Sequence, residues 1–437
     1  MKRAMLTCSA AAVSAASFAG TAGAEDLTLC WAAWDPANAL VELSKEFEEQ
    51  SGHTMNFEFV PWPNFADRML NELNSGGQLC DLLIGDSQWI GGGAENGHYV
   101  KLNDFFDAEG ISMDDFAPAT VYAYSTWPKG TPNYYALPAM GDANGWFYRK
   151  DWFEDPEIQA AFEAEHGRPL AEPATQRELL EIAQFFQGRE IDGETRYGAA
   201  IFTERGSEGI TMGVTGALYP WGFKYENEPG SYDMEGAVNS AEAVEALEFY
   251  KEFYETATPP GYSDSYMEQG LDAFKSGQVA MAMNWFAFFP GLAADPALDG
   301  KIDFFVNPPQ NTEGSTLGGQ GISVVAYSDK QDAALEYIAW FADPEVQQKW
   351  WDLGGYSAHN AVLEDPGFVD SQPFAQDFLT AMGQVQDFWQ EPAYAELLLA
   401  MQKRLHDYIV ADQGTAQEAL DKLVEDWTEV FEDEGKL

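Results

Sequence analysis

The sequence predicts an α/β fold arranged in two lobes, and three observations support this fold class. Strand-like and helix-like segments alternate over residues 26–86, a pattern typical of a parallel sheet covered by helices. The chain has 437 residues, which is long for one core and comfortable for two lobes. Its apolar content of 46% is that of a globular protein rather than a disordered chain. We therefore expect two packed α/β lobes.

Residues 1–24 are expected to be a secretory signal peptide. Lys2 and Arg3 give a basic start, an apolar run of small residues follows, and "AGA" at 22–24 matches a small-x-small cleavage signal. Cys8 comes too early in the sequence to be a lipoprotein cysteine. Cleavage after "AGA" predicts a periplasmic protein. No later stretch reaches the roughly 18 to 20 unbroken apolar residues of a membrane helix.

The charge of the chain is strongly negative. Its 72 acidic and 23 basic residues give a net charge of −49, which becomes −51 without Lys2 and Arg3. Nucleic acid and anionic membranes are therefore excluded as expected partners. Because the acidic residues are spread along the whole chain, we interpret them as a solvated, halophilic surface adapted to salt, which screens self-repulsion.

Three strands are expected in the amino-terminal part. They are "DLTLCWA" at 26–32, "HTMNFEFVPW" at 53–62 and "CDLLIGD" at 80–86. The third strand is apolar on both faces, as a strand inside a parallel sheet must be. Right-handed helical crossovers are expected to connect these strands.

Two helices are expected between these strands. Asp35 is a good N-cap and Pro36 suits the first helical position, while Gly52 ends this helix. The second helix places apolar residues at a spacing of four before a glycine pair stops it. These residues are Phe65, Met69 and Leu73.

The later part of the chain mixes helices, strands and loops. Residues 133–153 have a strand-like pattern with a glycine-rich middle, which indicates a crossing between the lobes. Residues 214–233 have a loop composition. The clearest helix carries one apolar stripe, which is expected to be core: Ala416, Leu420, Leu423, Val424, Trp427 and Phe431. Other expected elements are helices at 175–187 and 240–256, strands at 196–202 and 321–328, and a helix after Asp343-Pro344.

The two cysteines of the mature chain are expected to be free thiols. Cys30 is next to the end of its strand, whereas Cys80 begins its own. If the strand ends align, about four residues separate them along the strand axis, or roughly 13 Å. A disulfide requires Cα atoms within about 7 Å. A disulfide stays the alternative, because an oxidising compartment permits one.

Aromatic and polar residues follow the carboxyl ends of the three expected strands. Trp34 and Asp35 follow the first, Trp62 ends the second, and Asp86 and Gln88 follow the third. A single Trp is usually a packing residue, and Asp35 is equally consistent with a helix cap. The carboxyl ends of parallel strands form the ligand crevice of such sheets. Together these residues therefore predict a cleft lined by aromatic rings.

Four segments together resemble the extracellular solute-binding proteins of ATP-driven sugar importers, the family that includes maltose-binding protein. The resemblance covers essentially all of the mature chain. The segments are "YYALPAMGDANGWFYRKDWFE" at 134–154, "LDAFKSGQVAMAMNWFAF" at 271–288, "GGQGISVVAYSDKQDAALEYIAWFADPEVQQKWW" at 318–351 and "GTAQEALDKLVEDWTEVF" at 414–431.

This resemblance implies a two-lobed, type II periplasmic binding protein fold with three crossings between lobes. The amino-terminal lobe would comprise 25–140 and 285–330, and the carboxyl-terminal lobe 141–284 and 331–437. The implied function is that of the substrate-binding protein of an ABC transporter. It would capture a carbohydrate between its lobes and deliver it to a membrane permease, as a monomer without a cofactor or metal.

The resemblance also implies further ligand-binding residues. Trp285 and Trp389 match aromatic positions of the family, and Trp221 is a weaker candidate. The remaining candidates are Asp142 and Asn144 in the first crossing, Gln320 in the third crossing region, and Tyr356. Tyr356 lies in "GGYSAHNAVLED", where many relatives carry a proline and an arginine that are absent here.

Two other functions are alternatives to carbohydrate binding. Several Trp faces and acidic residues could form a cage for a quaternary ammonium or other compatible solute. A secreted glycosidase would also use Trp platforms and paired carboxylates. However, no nucleophile elbow, Walker loop or HExxH motif occurs, and the five histidines have no metal-ligand spacing. The sequence therefore favours a binding protein over an enzyme.

Overall fold

The structure is a computed structural model that describes residues 23–437. Of the predicted signal peptide, all but the last two residues lie outside the described residues, as does Cys8. Within the described range, no helix combines the length and apolar character needed to cross a membrane.

The described residues form a ten-stranded sheet in the order β2-β1-β3-β9-β4-β7-β6-β5, with β10 paired to β9 and β8 paired to β4. The strands are β1 Asp26–Ala32, β2 Thr54–Val60, β3 Leu82–Asp86, β4 Leu137–Arg149, β5 Arg189–Ile191, β6 Glu194–Ala200, β7 Val279–Trp285, β8 Ile302–Val306, β9 Ser315–Val324 and β10 Val385–Gln386.

Helices connect most of these strands. They are α1 Asp35–Ser51, α2 Trp62–Asn74, α3 Ile90–Glu95, α4 Asn103–Glu109, α5 Pro118–Thr120, α6 Lys150–Phe153, α7 Pro156–His166, α8 Gln176–Phe186, α9 Gly209–Trp221, α10 Ala241–Ala257, α11 Met267–Lys275, α12 Phe289–Ala293, α13 Gln331–Phe341, α14 Pro344–Asp352, α15 Asn360–Leu363, α16 Ala375–Met382, α17 Tyr394–Ile409 and α18 Ala416–Asp433.

Two long strands connect the lobes. The first part of β4, residues 137–143, pairs with β9, whereas residues 144–149 pair with β7 and β8. The carboxyl-terminal half of β9 pairs with β3. We call the part of the sheet containing β1, β2 and β3 the first lobe, and the part containing β5 to β8 the second lobe. The chain crosses again after α14, where Gly141 N donates to Tyr356 O. The predicted two-lobed α/β fold is confirmed.

The predicted alternation at the amino terminus is confirmed. β1 pairs in parallel with β2 along its whole length and with β3 at its end. Gly52 ends α1 in a left-handed conformation, with φ of +80°. The N-cap prediction is wrong by one residue: Trp34 occupies that position, and Asp35 is the first helical residue.

The prediction of free thiols is wrong, because Cys30 and Cys80 form a disulfide with a Cα–Cα distance of 5.7 Å. The strand ends align to within one residue, and the error lies in counting Cys80 as part of the extended strand, which begins at Leu82. β1 pairs with β3 so that Cys30 lies opposite Leu83. Cys80 precedes β3 at a bend, where Asp81 N donates to Thr28 O. This bend brings the Cys80 sulfur to Cys30.

The predicted lobe boundaries differ from the observed pairing at two places. The strand β8, expected in the first lobe, pairs with residues 145–149 of the second-lobe half of β4. The helices α13 and α14, expected in the second lobe, pack against β9 and α1. Because β4 crosses between the lobes, a later strand can pair with it in either lobe. The local sequence of that later strand does not determine which half of β4 it pairs with.

The expected loop at 214–233 is also wrong in its first part, because α9 runs through Trp221. This helix is buried on all sides and therefore lacks the amphipathic period that reveals a surface helix. A Cβ at Gly216 would lie 2.6 Å from Asn144 Nδ2, so the glycine lets α9 approach β4 closely. By contrast, the predicted core stripe of α18 is confirmed, since its six apolar residues are all buried.

Candidate functional site

A cavity of about 390 Å³ lies between the lobes, beside the crossing strands. Its first wall belongs to the first lobe and consists of Trp34, Trp62, Asp86, Ser87 and Gln88. Its second wall belongs to the second lobe and consists of Glu208, Met212, Met267 and Trp285. The floor is formed by the crossing strands with Asp142, Leu317, Gly318, Gly319 and Gln320. Both lobes therefore contribute to one site.

Aromatic rings line both walls. Trp34 and Trp62 have ring centroids 6.1 Å apart with planes tilted by 33°. Trp31 packs behind them, edge to face against Trp34 at 5.5 Å. Trp285 ends β7 on the opposite side, and a Cβ at Gly318 would lie 2.8 Å from its ring. Gly318 therefore lets the floor approach the Trp285 ring directly.

Asp86 ends β3 and is held by short-range hydrogen bonds. Its Oδ1 accepts from Gln88 N at 3.2 Å and from Ser87 Oγ at 3.3 Å. Burial, together with the nearby charge of Asp387, raises the pKa of Asp86 to about 7. The Gln88 side chain is 3% exposed, and its Oε1 has no hydrogen-bond partner within residues 23–437. The first wall thus offers an organised carboxyl and an unpaired amide oxygen.

Asp142 lies in the floor, where β4 passes between the lobes. Its Oδ1 accepts from Ala143 N at 2.8 Å and from Ala287 N at 3.3 Å. Burial raises the pKa of Asp142 well above its ordinary value, although these backbone donors oppose the shift. Gln320 Oε1 accepts from Trp31 Nε1 at 3.3 Å, which fixes its amide beside the cavity. The floor is therefore polar and already ordered.

Glu208 gives the second wall a different character. It precedes α9 in a left-handed conformation, with φ of +73°, and Ser207 before it has φ of +46°. Its residue is 9% exposed, and burial raises the pKa of its carboxyl well above the ordinary value. Within the described chain, no donor bonds to this carboxyl. A strained, buried and unpaired acid is costly and is typical of functional sites.

The lobes also touch beside the cavity, where the segment 387–391 faces the residues after β3. A Cβ at Gly91 would lie 2.2 Å from Gln390 O, so only a glycine allows this approach. The Asp387 carboxyl lies near Ser87 and Lys129. Burial lowers the pKa of Lys129 to about 7 against the opposing charge of Asp387. The cavity is therefore narrowed by direct contact between the lobes.

Seven of the twelve residues predicted for the site line this cavity. They are Trp34, Trp62, Asp86, Gln88, Asp142, Trp285 and Gln320. The strand-end rule brought the first four together, and the resemblance supplied the other three. Their role as ligand contacts stays a prediction.

Two other predicted residues are buried in the second lobe. Asn144 Oδ1 accepts from Thr316 N at 2.8 Å, which ties the two crossing strands together. Trp221 packs on Phe249 at 4.7 Å, and its Nε1 donates to Glu245 at 3.3 Å. Both are structural contacts outside the cavity lining.

The last three predicted residues also lie outside the lining. The Tyr356 hydroxyl donates to Phe286 O beneath the floor. Trp389 packs in an aromatic cluster, 5.2 Å from Tyr225. Asp35 is exposed at the start of α1. In this structure the side chains of Tyr356 and Trp389 are used for packing, and that of Asp35 faces solvent.

Sequence reasoning missed seven residues of the lining: Ser87, Glu208, Met212, Met267, Leu317, Gly318 and Gly319. Ser87 follows the same strand as Asp86 and was within reach of the strand-end rule. Glu208 was not, because a left-handed residue before a fully buried helix leaves no periodic signal in the sequence.

The charge of the lining is one-sided. Three of its residues are acidic, and among the described residues that form it none is Lys, Arg or His. Across residues 23–437, no group of three or more His, Cys, Asp and Glu side chains is placed to hold a metal ion. The carboxyls are therefore spread around the cavity rather than gathered on one point.

Comparison with known proteins matches residues 33–348 to the family model for bacterial extracellular solute-binding proteins. A probable amino-acid ABC transporter periplasmic-binding protein of Sinorhizobium fredii is 23% identical over 77% of this chain and 73% of its own. A ribitol complex of an ABC transporter solute-binding protein from Agrobacterium radiobacter has a TM-score of 0.76 at 22% identity, covering 93% and 98% of the two chains. The maltose-bound MalE3 of T. maritima has a TM-score of 0.78 at 21% identity, covering 93% and 100%. Both similar structures share this fold.

Proposed function

We propose that this chain, which belongs to the family of bacterial extracellular solute-binding proteins, captures a carbohydrate or polyol between its lobes and delivers it to a membrane permease. The observation that carries the proposal is the cavity between the lobes, which is lined by three indole rings together with polar groups: Trp34, Trp62, Trp285, Asp86 and Gln320. Similar proteins are described as bound to ribitol and to maltose. These ligands share apolar C–H faces and a rim of hydroxyl groups.

The cavity fits this chemistry residue by residue. An indole face packs against C–H groups and buries a large apolar area. The unpaired Gln88 Oε1 can accept a hydrogen bond from a hydroxyl group. Hydrogen bonds to charged groups contribute about 1.5 to 3 kcal/mol each, against about 1 kcal/mol for neutral pairs. A few such bonds with one or two stacked rings suffice for micromolar binding, about −8 kcal/mol.

The size of the cavity favours a small ligand. Its empty space of about 390 Å³ includes a part that is open to solvent, so the enclosed space is smaller than this figure. Direct contact between Gly91 and the segment 387–391 limits extension on one side. A monosaccharide or a linear polyol is therefore favoured over a long oligosaccharide.

The mechanism we infer is closure rather than catalysis. A ligand that contacts both walls does so only when the lobes approach, so binding shifts an open–closed equilibrium by its differential affinity. The closed form would dock on the permease of an ABC importer. Periplasmic location follows from the family and from the predicted signal peptide. A monomer without enzymatic activity is the state consistent with this role.

The quaternary ammonium alternative predicts three or four rings around one point and few hydrogen-bonding groups. Trp34 and Trp62 lie side by side on one wall, and Trp285 lies on the other. Gln88, Gln320 and Asp142 supply oxygen atoms that accept hydrogen bonds. A quaternary ammonium ion has no N–H or O–H group that could donate to them. The arrangement therefore favours a polyhydroxyl ligand.

Thermal unfolding with a ligand panel tests the proposal. The panel contains monosaccharides, disaccharides, trisaccharides, linear polyols and betaine-like solutes. A ligand at 100 times its dissociation constant raises the free energy of unfolding by about 2.7 kcal/mol. We expect this rise with a monosaccharide or polyol. Stabilisation by betaines alone would support the cage, and no response to any compound would contradict the proposed function and call for an assay of glycoside hydrolysis.

A further inference from the structure

The Glu208 carboxyl is the one acid of the described cavity lining that receives no hydrogen bond. It lines the second wall, is nine-tenths buried and receives no hydrogen bond within the described residues. The backbone holds it there at the cost of two consecutive left-handed residues, Ser207 and Glu208. Such conformations cost of order 1 to 3 kcal/mol each and persist where the surrounding structure imposes them. Packing alone would not require a carboxyl at this position.

The groups around Glu208 do not compensate its charge. Burial raises the pKa of the Glu208 carboxyl, and the nearby charges of Asp86 and Asp387 raise it further. Tyr266 and Tyr394 also lie near it, since the charge of Glu208 raises their pKa values. The buried Lys129 lies near Asp387 and Glu391, and no basic group shifts the pKa of Glu208. The surroundings of this carboxyl are thus acidic or neutral.

We propose that the preferred ligand is a polyhydroxyl compound that carries a protonated amine, and that Glu208 accepts a hydrogen bond from this ammonium group. The inference rests on the proposed function and specifies the class of ligand for the same cavity. The three donors and positive charge of an ammonium group match an unpaired carboxylate in an acidic cavity. A hydroxyl group supplies one donor and no charge.

Two other cationic ligands fit less well. A quaternary ammonium ion has no N–H with which to bond Glu208. A divalent cation requires several ligands at one point, and the described chain provides no cluster of three acidic or histidine side chains for it. An amino sugar or amino polyol satisfies both the carboxyl and the hydroxyl-binding groups of the first wall.

Calorimetric titration with matched pairs of ligands tests this inference. The pairs are glucamine against sorbitol and glucosamine against glucose, which differ by an amino group in place of a hydroxyl group. The native chain is expected to bind the amino member about tenfold more tightly, the gain expected when a neutral hydrogen bond becomes a charged one. In Glu208→Gln the preference for the amino member of each pair is expected to disappear.

The matched control is Glu204→Gln. Glu204 precedes α9 by five residues, is partly buried and lies outside the cavity lining. This variant is expected to keep the tenfold preference for the amino member. The control therefore distinguishes the effect of the Glu208 carboxyl from the general attraction of cationic ligands to a chain with a net charge of −49.

A measurement on the native chain alone keeps the inference testable if Glu208→Gln does not fold. Burial raises the pKa of the Glu208 carboxyl, and an ammonium group bound beside it would lower that pKa, so the direction of proton exchange at this carboxyl is release. Titrations in two buffers with different ionisation enthalpies should therefore detect proton release with glucamine and none with sorbitol. Tighter or equal binding of the hydroxyl member would overturn the inference and leave the proposed function intact. If no polyhydroxyl compound of the wider panel binds, the proposed function fails and this inference with it.

Discussion

The two walls of the cavity are built in opposite ways. The first wall consists of residues at the ends of regular elements, and its acid, Asp86, is held by Ser87 and by a backbone donor. The second wall contains Glu208, which is left-handed, buried and without a donor in the described chain. The acid of the first wall is therefore held by the chain before a ligand arrives, whereas the acid of the second wall has no hydrogen-bond donor until a ligand supplies one.

This difference also decides what the sequence could predict. Trp34, Trp62, Asp86 and Gln88 follow parallel strands, and the carboxyl ends of such strands share an edge. Their placement therefore follows from local pattern. The position of Glu208 depends on the packing of α9 against β4 and on a backbone conformation that no periodicity encodes. The fold is predictable because alternation is local. The pairing of β8 depends on which strand edge it takes, and the disulfide depends on a bend before β3, and no local pattern encodes either.

The largest expected effect concerns the order of the first wall. The disulfide between Cys30 and Cys80 closes a loop that contains α1, β2 and α2. Replacing both cysteines in Cys30→Ser/Cys80→Ser should lower the free energy of unfolding by about 4 kcal/mol, from the loop-closure entropy of about 50 residues. Denaturant unfolding measures this loss.

The native chain with and without reductant is the control for that comparison. The double variant should match the reduced native chain in stability and be insensitive to reductant. Equal stability of the oxidised native chain and the variant would contradict a role of the disulfide in ordering the first wall.

The next effect separates stacking on the first wall from general surface contacts. Trp62→Ala removes a ring that lines the cavity beside Trp34, and we expect about 3 kcal/mol of binding free energy to be lost with any carbohydrate that the panel identifies. Tyr122→Ala is the control, because Tyr122 is an exposed ring outside the lining. Titration calorimetry measures both. Similar losses in the two variants would show that the Trp62 ring is not a specific contact.

A third prediction uses pH to probe the acid of the first wall. The folded-state pKa of Asp86 is raised to about 7, mainly by burial. The native state therefore binds a proton more tightly than the unfolded state, so stability falls as pH rises towards 7. Each pH unit in this window costs about 1.4 kcal/mol for a single proton.

Asp86→Asn should remove this contribution. Between about pH 5.5 and pH 7, the native chain should lose about 2 kcal/mol more free energy of unfolding than the variant. Denaturant unfolding of both chains at each pH measures the difference in their free energies of unfolding. Repulsion among the other acidic residues affects both chains alike and therefore largely cancels in this difference. A loss equal in both chains would mean that Asp86 titrates in its ordinary range and is less desolvated than the first wall implies.

The smallest effect should appear on the second wall and have the opposite sign. Glu208→Gly replaces a residue with φ of +73° by one that adopts this conformation without steric cost, and it also removes an unpaired buried carboxyl. We expect the free energy of unfolding of the ligand-free protein to rise by about 1 kcal/mol, whereas substitutions on the first wall lower it or weaken binding. Glu204→Gly, at a position without a positive φ, should instead be destabilising by about 0.5 to 1 kcal/mol. A lower free energy of unfolding in Glu208→Gly would contradict this expectation. It would mean that the Glu208 carboxyl is already stabilised in the ligand-free protein, as the Asp86 carboxyl is.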